Sequence, residues 1–329
     1  MNILKESVAL DVTLRDGSFS VNFEWSESSI WSIVDSVVKL GIPFIELGFH
    51  GGIGSLLQEF TQSSSTITDN FPLPLAKELS DKYPHTNFVF MIHPIALDTL
   101  DYKEIKASGI TLLRFIEQKD RVQLYRNIQE AKDAGLKISL NITSASQYPT
   151  EKLIQIASDH IESISPNIVY IADTFGSFYP NDIKKIYGSI SNKNLNGVKL
   201  GFHAHDNLSL AFANALSATE SGVSYVDVSI LGLGRGSGNL QSELWCINAI
   251  AKWNKSYDIE ASISAIAEIK RYRNGIKNRS LLSLTGAVYN LSSVEIENLY
   301  KSGKERGLTA DLTASLFIKN QLKGKHSEI

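Results

Sequence analysis

The chain has 329 residues, 43% of them hydrophobic, with 32 basic and 35 acidic residues and a formal net charge of −3. That length holds a (β/α)8 barrel of roughly 250 residues plus a small further segment, and the apolar share excludes global disorder. No basic block stands out, which argues against nucleic acid as a partner, and the single cysteine, Cys246, excludes a disulfide framework and fits a reducing compartment.

Met1–Ser7 lacks the basic start and apolar run of a signal peptide, and no apolar run approaches the ~20 residues of a membrane span. The expectation is a soluble cytoplasmic protein with no membrane partner. Strand and helix patterns then alternate along the chain. Val8–Thr13 reads as the first strand. Ser26–Leu40 reads as a helix, capped by Ser26, with Ile30, Ile33, Val34, Val37 and Val38 at helical spacing, and Gly41 ends it. Ile42–Gly48 is the second strand, Gly51–Pro74 a long Gly/Ser/Thr loop, and Leu75–Lys82 a short helix. Asn87–Ile92 and Thr111–Ile116 are the third and fourth strands, and Asp120–Ala134 is a helix stopped by Gly135. Leu136–Ile142 is the fifth strand, and Thr150–His160 a helix with Thr150 as its cap. Ile168–Ala172 and Pro180–Ile190, Val198–His203 and Leu208–Ser221, then Tyr225–Ile230 and Leu240–Trp253 complete the alternation.

Eight strands alternating with helices predict an α/β fold, a (β/α)8 TIM barrel over 1–254. An open doubly wound sheet would carry a glycine-rich first turn, where this chain has Arg15-Asp-Gly-Ser-Phe19. Past Lys255 the strand pattern stops. Ala261–Arg273, Ser293–Lys301 and Thr309–Gln321 read as a helical appendix over 255–329, with a frayed polar end from Lys323. Ile263, Ile266 and Ile269 form one stripe, which suggests a homodimer unless the stripe covers its own barrel.

Active sites of such barrels lie at the C-terminal strand ends. The first strand delivers Arg15 and Asp16, the second Glu46 and His50, the third His93, the fourth Arg114, the fifth Asn141. The sixth delivers Asp173 and Thr174, the seventh His203 and His205, and the eighth the loop Gly232-Leu-Gly-Arg-Gly-Ser-Gly-Asn239. His203 and His205 alternate onto one face, so their imidazoles can converge as two metal ligands, with a carboxylate of the first strand end as a third. Glu46 and Arg114 either pair inside the barrel or meet substrate. His93, before Pro94, is either a turn histidine or a contact, and Asp173 either caps the next turn or touches ligand. The alternate glycines either cradle a phosphate or let the backbone pass close to a metal site and deliver Asn239. Asp, two His and an Asn oxygen suit a divalent ion, with Mn²⁺ the first choice and Mg²⁺, Co²⁺ or Zn²⁺ as alternatives. Such an ion with open positions, beside the fixed charge of Arg15, suits a 2-oxo acid that passes through an enolate.

Thr13-Leu-Arg-Asp-Gly17, Ala172-Asp-Thr174, His203-Ala-His-Asp-Asn-Leu208 and the Gly232–Asn239 loop resemble the metal-dependent pyruvate-type lyase barrels, the hydroxymethylglutaryl-CoA lyase-like superfamily. Within it the chain is most similar to the 4-hydroxy-2-oxovalerate aldolase branch, over the whole barrel. The resemblance implies that Asp16, His203 and His205 hold the metal, with Asn239 near it. It further implies that Arg15 stabilises the enolate and that Thr174 holds the substrate carboxylate. The implied activity is an aldolase or lyase joining or releasing a pyruvate-like 2-oxo acid and an aldehyde. A Claisen-type acyl-CoA synthase and a catalytically silent binding barrel are the alternatives. The aldolase branch has a catalytic histidine where this chain has Phe19, and the synthases have Glu where it has Arg235. Phenylalanine moves no proton. Of seven histidines, His85, His160 and His326 lie away from strand ends and two are expected ligands. His50 therefore becomes the expected base, with His93 next.

Overall fold

The computed structural model describes residues 7–59, 66–193, 195–272, 281–289, 291 and 293–326. Eight parallel strands close into a barrel in sequence order: β1 (Val8–Asp11), β2 (Phe44–Phe49), β3 (Asn87–Ile92), β4 (Ile110–Ile116), β5 (Lys137–Ile142), β6 (Ile168–Asp173), β7 (Lys199–Ala204) and β8 (Tyr225–Val228). The outer ring holds α1 (Glu27–Leu40), α2 (Leu73–Lys82), α3 (Tyr102–Ala107), α4 (Arg121–Asp133), α5 (Thr150–Ile164), α6 (Pro180–Ser191), α7 (Ala211–Glu220) and α8 (Ser242–Trp253). A helical extension follows: α9 (Ser262–Tyr272), α10 (Leu281–Tyr289), α11 (Ser293–Glu305) and α12 (Ala310–His326).

The strands are short and apolar on both faces because helices cover the outside and side chains plug the inside. Leu10, Val12, Val89, Leu112, Ile168 and Tyr170 form the inner plug. The outward residues, among them Ala9, Ile45, Phe88, Phe90 and Phe202, join the helices in one large shell. Local signals place the first helix well. Ser26 Oγ accepts from Ser29 N, and Gly41 closes α1 at φ 98°.

Several boundaries differ from expectation. β1 stops at Asp11, because Asp16 N donates to Val12 O and turns the chain. Arg15 and Asp16 therefore project from a turn and not from a strand. Thr150 is the first residue of α5 and not its cap; Pro149 occupies that place, with no side-chain oxygen to offer. α7 begins at Ala211, since the Asp206 carboxylate takes Ala211 N and holds the preceding residues in a turn. The six-residue α3 between β3 and β4 is too short for a periodicity argument, and the apolar α10 carries no amphipathic pattern. The Gly51–Pro74 stretch contains a 3-10 turn over Gly54–Glu59, and residues 60–65 lie outside the described ones. α12 continues past Gln321 to His326, and 327–329 also lie outside.

The stripe on α9 is covered within the chain. Ile266 and Ile269 are buried, the helix packs on α1, and Tyr272 stacks edge-on to Trp25 at 4.7 Å. Ile263 is half-buried against the same shell, so the stripe is taken up largely within the chain and gives no support to a homodimer. Among the described residues, no helix is long and apolar enough to cross a membrane.

Candidate metal centre

β7 brings His203 and His205 to the barrel mouth on one inward face, as strand alternation requires. The turn after β1 brings Asp16 to meet them. One ligand atom from each of these three buried residues lies within 4.8 Å of the others. His203 Nε2 and His205 Nε2 are 3.2 Å apart, and His205 Nε2 is 3.9 Å from Asp16 Oδ2.

Beneath them runs a buried charged chain. Arg15 NH1 donates to Asp16 Oδ1 at 2.5 Å, and Arg15 Nε to Glu46 Oε2 at 2.8 Å. The same Glu46 oxygen accepts from Arg114 NH1 at 3.1 Å, and Arg114 NH2 donates to Asp227 Oδ2 at 2.7 Å. His203 Nδ1 lies 2.9 Å from that Asp227 oxygen, which closes the circuit. Arg114 also lies over the Tyr170 ring at 4.3 Å, and Asn141, with its amide oxygen turned toward Arg114, accepts from Nε and NH2 at 3.0 and 3.2 Å. Three acidic side chains thus face two guanidiniums, an excess of negative charge that a divalent cation would offset. Burial alone would raise Asp16, but Arg15 and the two imidazoles outweigh it and hold the carboxyl well below its ordinary range. Burial would likewise raise Asp227, and Arg114 with His203 reverses that.

The donor set fits a metal ion. Burial takes His205 down to about 4, so it is neutral near pH 7. Its Nδ1 is 3.2 Å from the Gly238 carbonyl, which only accepts, so Nδ1 carries the hydrogen and Nε2 is bare. Two nitrogens each about 2.1 Å from one ion, at right or tetrahedral angles, lie roughly 3.0–3.4 Å apart, which matches the pair seen here. Asn239 adds an oxygen. Its Nδ2 donates to Asp16 Oδ2 at 2.9 Å and to Leu233 O at 3.1 Å, while its buried Oδ1 has no partner among the described residues. The glycine loop makes this approach possible. A Cβ on Gly234 would fall 2.8 Å from Asp16 Oδ2 and onto the Asn239 amide. Of the two roles open to that loop, the geometry favours close passage beside the metal ligands.

The other expected residues distribute differently. Glu46 and Arg114 pair with each other, one step below the mouth. Thr174 Oγ1 accepts from Ser144 N at 2.8 Å. Asp173 accepts from Ser177 N and Phe178 N, so it caps the following turn. His93 Nδ1 accepts from Ile95 N and caps the turn over Pro94–Thr99. His50 stacks on Phe90 at 5.1 Å with Nδ1 3.0 Å from Phe71 O, and Phe90 and Phe71 belong to the shell outside the strands. His50 and His93 thus take their recorded contacts from Phe90, Phe71 and Ile95, and neither is one of the three clustered ligands. Phe19 packs edge-on to Phe23 and Phe49 within an apolar cluster that also holds Met91 and Ile116. Phe49, Met91 and Ile116 come from β2, β3 and β4, so that side of the mouth is apolar while the β1, β7 and β8 side is polar. Asp227 was not evident as a site residue from sequence. Tyr225-Val-Asp-Val228 carried the signal, since alternation sets Val226 and Val228 outward and Asp227 inward, opposite Leu10.

The HMGL-like family model matches residues 116–270. The chain is 26% identical over 313 residues to an oxaloacetate decarboxylase of Mycobacterium tuberculosis, covering 93% of this chain and 89% of that protein. It is 30% identical over 236 residues to a 4-hydroxy-2-oxovalerate aldolase of Geobacillus genomosp. 3, covering 71% and 68%. Its barrel superposes on the N-terminal domain of a candidate aldolase from Bacteroides vulgatus with a TM-score of 0.69 at 19% identity, over 88% of this chain and 95% of that one. It also superposes on the carboxyl transferase domain of Rhizobium etli pyruvate carboxylase with a TM-score of 0.66 at 17% identity, over 93% of this chain and 55% of the other. These two structural likenesses speak to the fold alone. The sequence matches, on a closed eight-stranded barrel with an Asp-His-His cluster at its mouth, establish that the chain belongs to the HMGL-like aldolase superfamily.

Proposed function

We propose that the protein is a divalent-metal-dependent carbon–carbon lyase that interconverts a 4-hydroxy-2-oxo acid with a pyruvate-like 2-oxo acid and an aldehyde. The observation that carries this reading is the convergence of Asp16, His203 and His205 beside the Arg15 guanidinium. Mn²⁺ is the preferred ion, and when bound it supplies a Lewis acid for the 2-oxo acid oxygens. Asp16, His203, His205 and the Asn239 oxygen hold it. In cleavage the C3–C4 bond breaks, its electron pair becomes the C2–C3 double bond of the enolate, and the 4-hydroxyl passes its proton to solvent water as the aldehyde leaves. The enolate then takes a proton at C3. Arg15 contributes a fixed positive charge to the enolate oxygen. Thr174 Oγ1 accepts from Ser144 N and donates to Ala172 O over a long 3.5 Å, a weak bond that a substrate carboxylate oxygen would replace.

Phe19 favours a second reading. The aldol reaction needs an acceptor for the hydroxyl proton, and Phe19, at the expected place, is none. Loss of CO2 from a 3-carboxy-2-oxo acid leaves the same enolate without that acceptor, as the similarity to an oxaloacetate decarboxylase suggests. Mn²⁺-loaded protein given 4-hydroxy-2-oxovalerate and, separately, oxaloacetate separates the two. Pyruvate with stoichiometric acetaldehyde supports the aldolase, and pyruvate with CO2 above the metal-only rate supports the decarboxylase. Metal binding without either product would contradict both and leave a silent binding barrel.

A further inference from the structure

We propose that Asp227 is a positioning residue: it fixes the hydrogen of His203 on Nδ1 and thereby aims a bare Nε2 at the ion. The proposal rests on the reading of Asp16, His203 and His205 as a metal centre, and it concerns a residue outside that cluster. Asp227 is 1% exposed, on β8, and its inward neighbour in register is Leu10 of the apolar plug. A carboxylate only accepts hydrogen bonds. The 2.9 Å contact between Asp227 Oδ2 and His203 Nδ1 therefore requires the hydrogen on Nδ1. Nε2, across the ring, is the nitrogen that faces His205 Nε2 at 3.2 Å. Were Nδ1 bare, it would face the carboxylate lone pairs, and Nε2 would carry the hydrogen into the metal position.

Asp227 is itself held. Arg114 NH2 donates to the same Oδ2 at 2.7 Å, and Arg114 is fixed by the Tyr170 ring and by Glu46 Oε2. That Glu46 oxygen also takes Arg15 Nε, and Arg15 holds Asp16. Two of the three ligands, Asp16 and His203, are thus braced from below by one buried network that enters them from opposite ends. A carboxylate on the far nitrogen also makes the imidazole a better donor to the ion.

The test titrates Mn²⁺ into wild type and Asp227→Asn, reading free Mn²⁺ by electron paramagnetic resonance. Melting of both metal-free proteins and the ¹⁵N imidazole spectrum of metal-free wild type at pH 8 are recorded beside it. The expected result is a Kd about 10–100-fold weaker in Asp227→Asn, and a His203 protonated on Nδ1 alone in wild type. A residue that merely neutralises Arg114 would lower the melting temperature and leave both of those readings untouched. A Kd within twofold of wild type, or a hydrogen on His203 Nε2, overturns the proposal while leaving the metal centre in place. If Asp227→Asn does not fold, the wild-type ¹⁵N spectrum decides alone, Nδ1–H supporting the proposal and Nε2–H overturning it. Wild type that binds no Mn²⁺ removes the metal centre and the proposal together.

Discussion

Arg15 and Glu46 are joined inside the barrel by a 2.8 Å bond from Nε to Oε2, which leaves the guanidinium edge beyond it to reach Asp16. The planar fork does both at once, and a lysine ammonium cannot reproduce that geometry. Arg15→Lys should retain metal and lose roughly 10²-fold or more in enolate formation, the scale seen when one oxyanion donor is removed. Metal content by elemental analysis, with turnover measured beside it, checks this. Unchanged turnover would demote Arg15 to a structural ion pair.

Gly234 makes a second prediction. Its missing side chain is what lets the loop after β8 lie on the Asn239 amide and the Asp16 carboxylate. Gly234→Ala should keep the barrel's far-ultraviolet circular dichroism yet weaken Mn²⁺ binding, because the added carbon forces the loop away from both groups. Equal affinity in wild type and variant would remove the loop from the metal site.

How much of this was legible in the sequence differs by residue. The His203/His205 pair and the barrel itself follow from period-two alternation and the β/α rhythm, both local signals. The partnership of Glu46 with Arg114 was one of two open readings, since a strand pattern says which way a side chain points and not which strand lies across the barrel. Asp227 was hidden for the same reason: only closure of β8 against β1 and β7 makes it a neighbour of His203 and Arg114. Phe19 was legible as a departure from the aldolase pattern, but its apolar neighbours Phe23, Phe49 and Met91 come from separate segments. His50 stands just past a strand end in the sequence, and the packing that fixes it comes from Phe71 and Phe90, remote in sequence.

That packing separates two roles for His50. As the proton acceptor, His50→Ala would slow turnover by roughly 10²–10⁴. Its stacking on Phe90 and its bond to the Phe71 carbonyl lead to the opposite expectation: turnover within a few fold of wild type and a melting temperature lowered by lost packing. Steady-state rates with the substrate that proves active, measured beside a thermal melt, distinguish them.

Behind the metal site, burial pushes Glu243 up from 4.5 to about 7, and Asp11 to about 7 as well. Both Glu243 oxygens face Leu231 N, and Asp11 takes Thr13, whose hydroxyl accepts from Ile230 N. The folded chain keeps protons on these acids that the unfolded chain has already released. Their contribution to stability is therefore fully present below the unfolded value of 4.5 for Glu243 and is lost as pH rises toward 7. Glu243→Gln mimics the protonated acid and should flatten that loss, by about 1–3 kcal/mol between the two limits. Chemical denaturation across pH 4 to 8 checks it, and parallel curves for wild type and variant would contradict it.

If the Asp16–His203–His205 centre forms the enolate of a 2-oxo acid, it must loosen the protons of the carbon next to the ketone. The most direct measurement is exchange of the pyruvate methyl protons with deuterated water, followed by proton NMR with Mn²⁺-loaded, chelator-treated and His203→Ala protein. It requires no knowledge of the second substrate. Exchange that appears only in the loaded wild-type protein is the predicted result. Exchange that survives in both the chelated protein and His203→Ala, or no exchange by loaded wild type, would contradict the account.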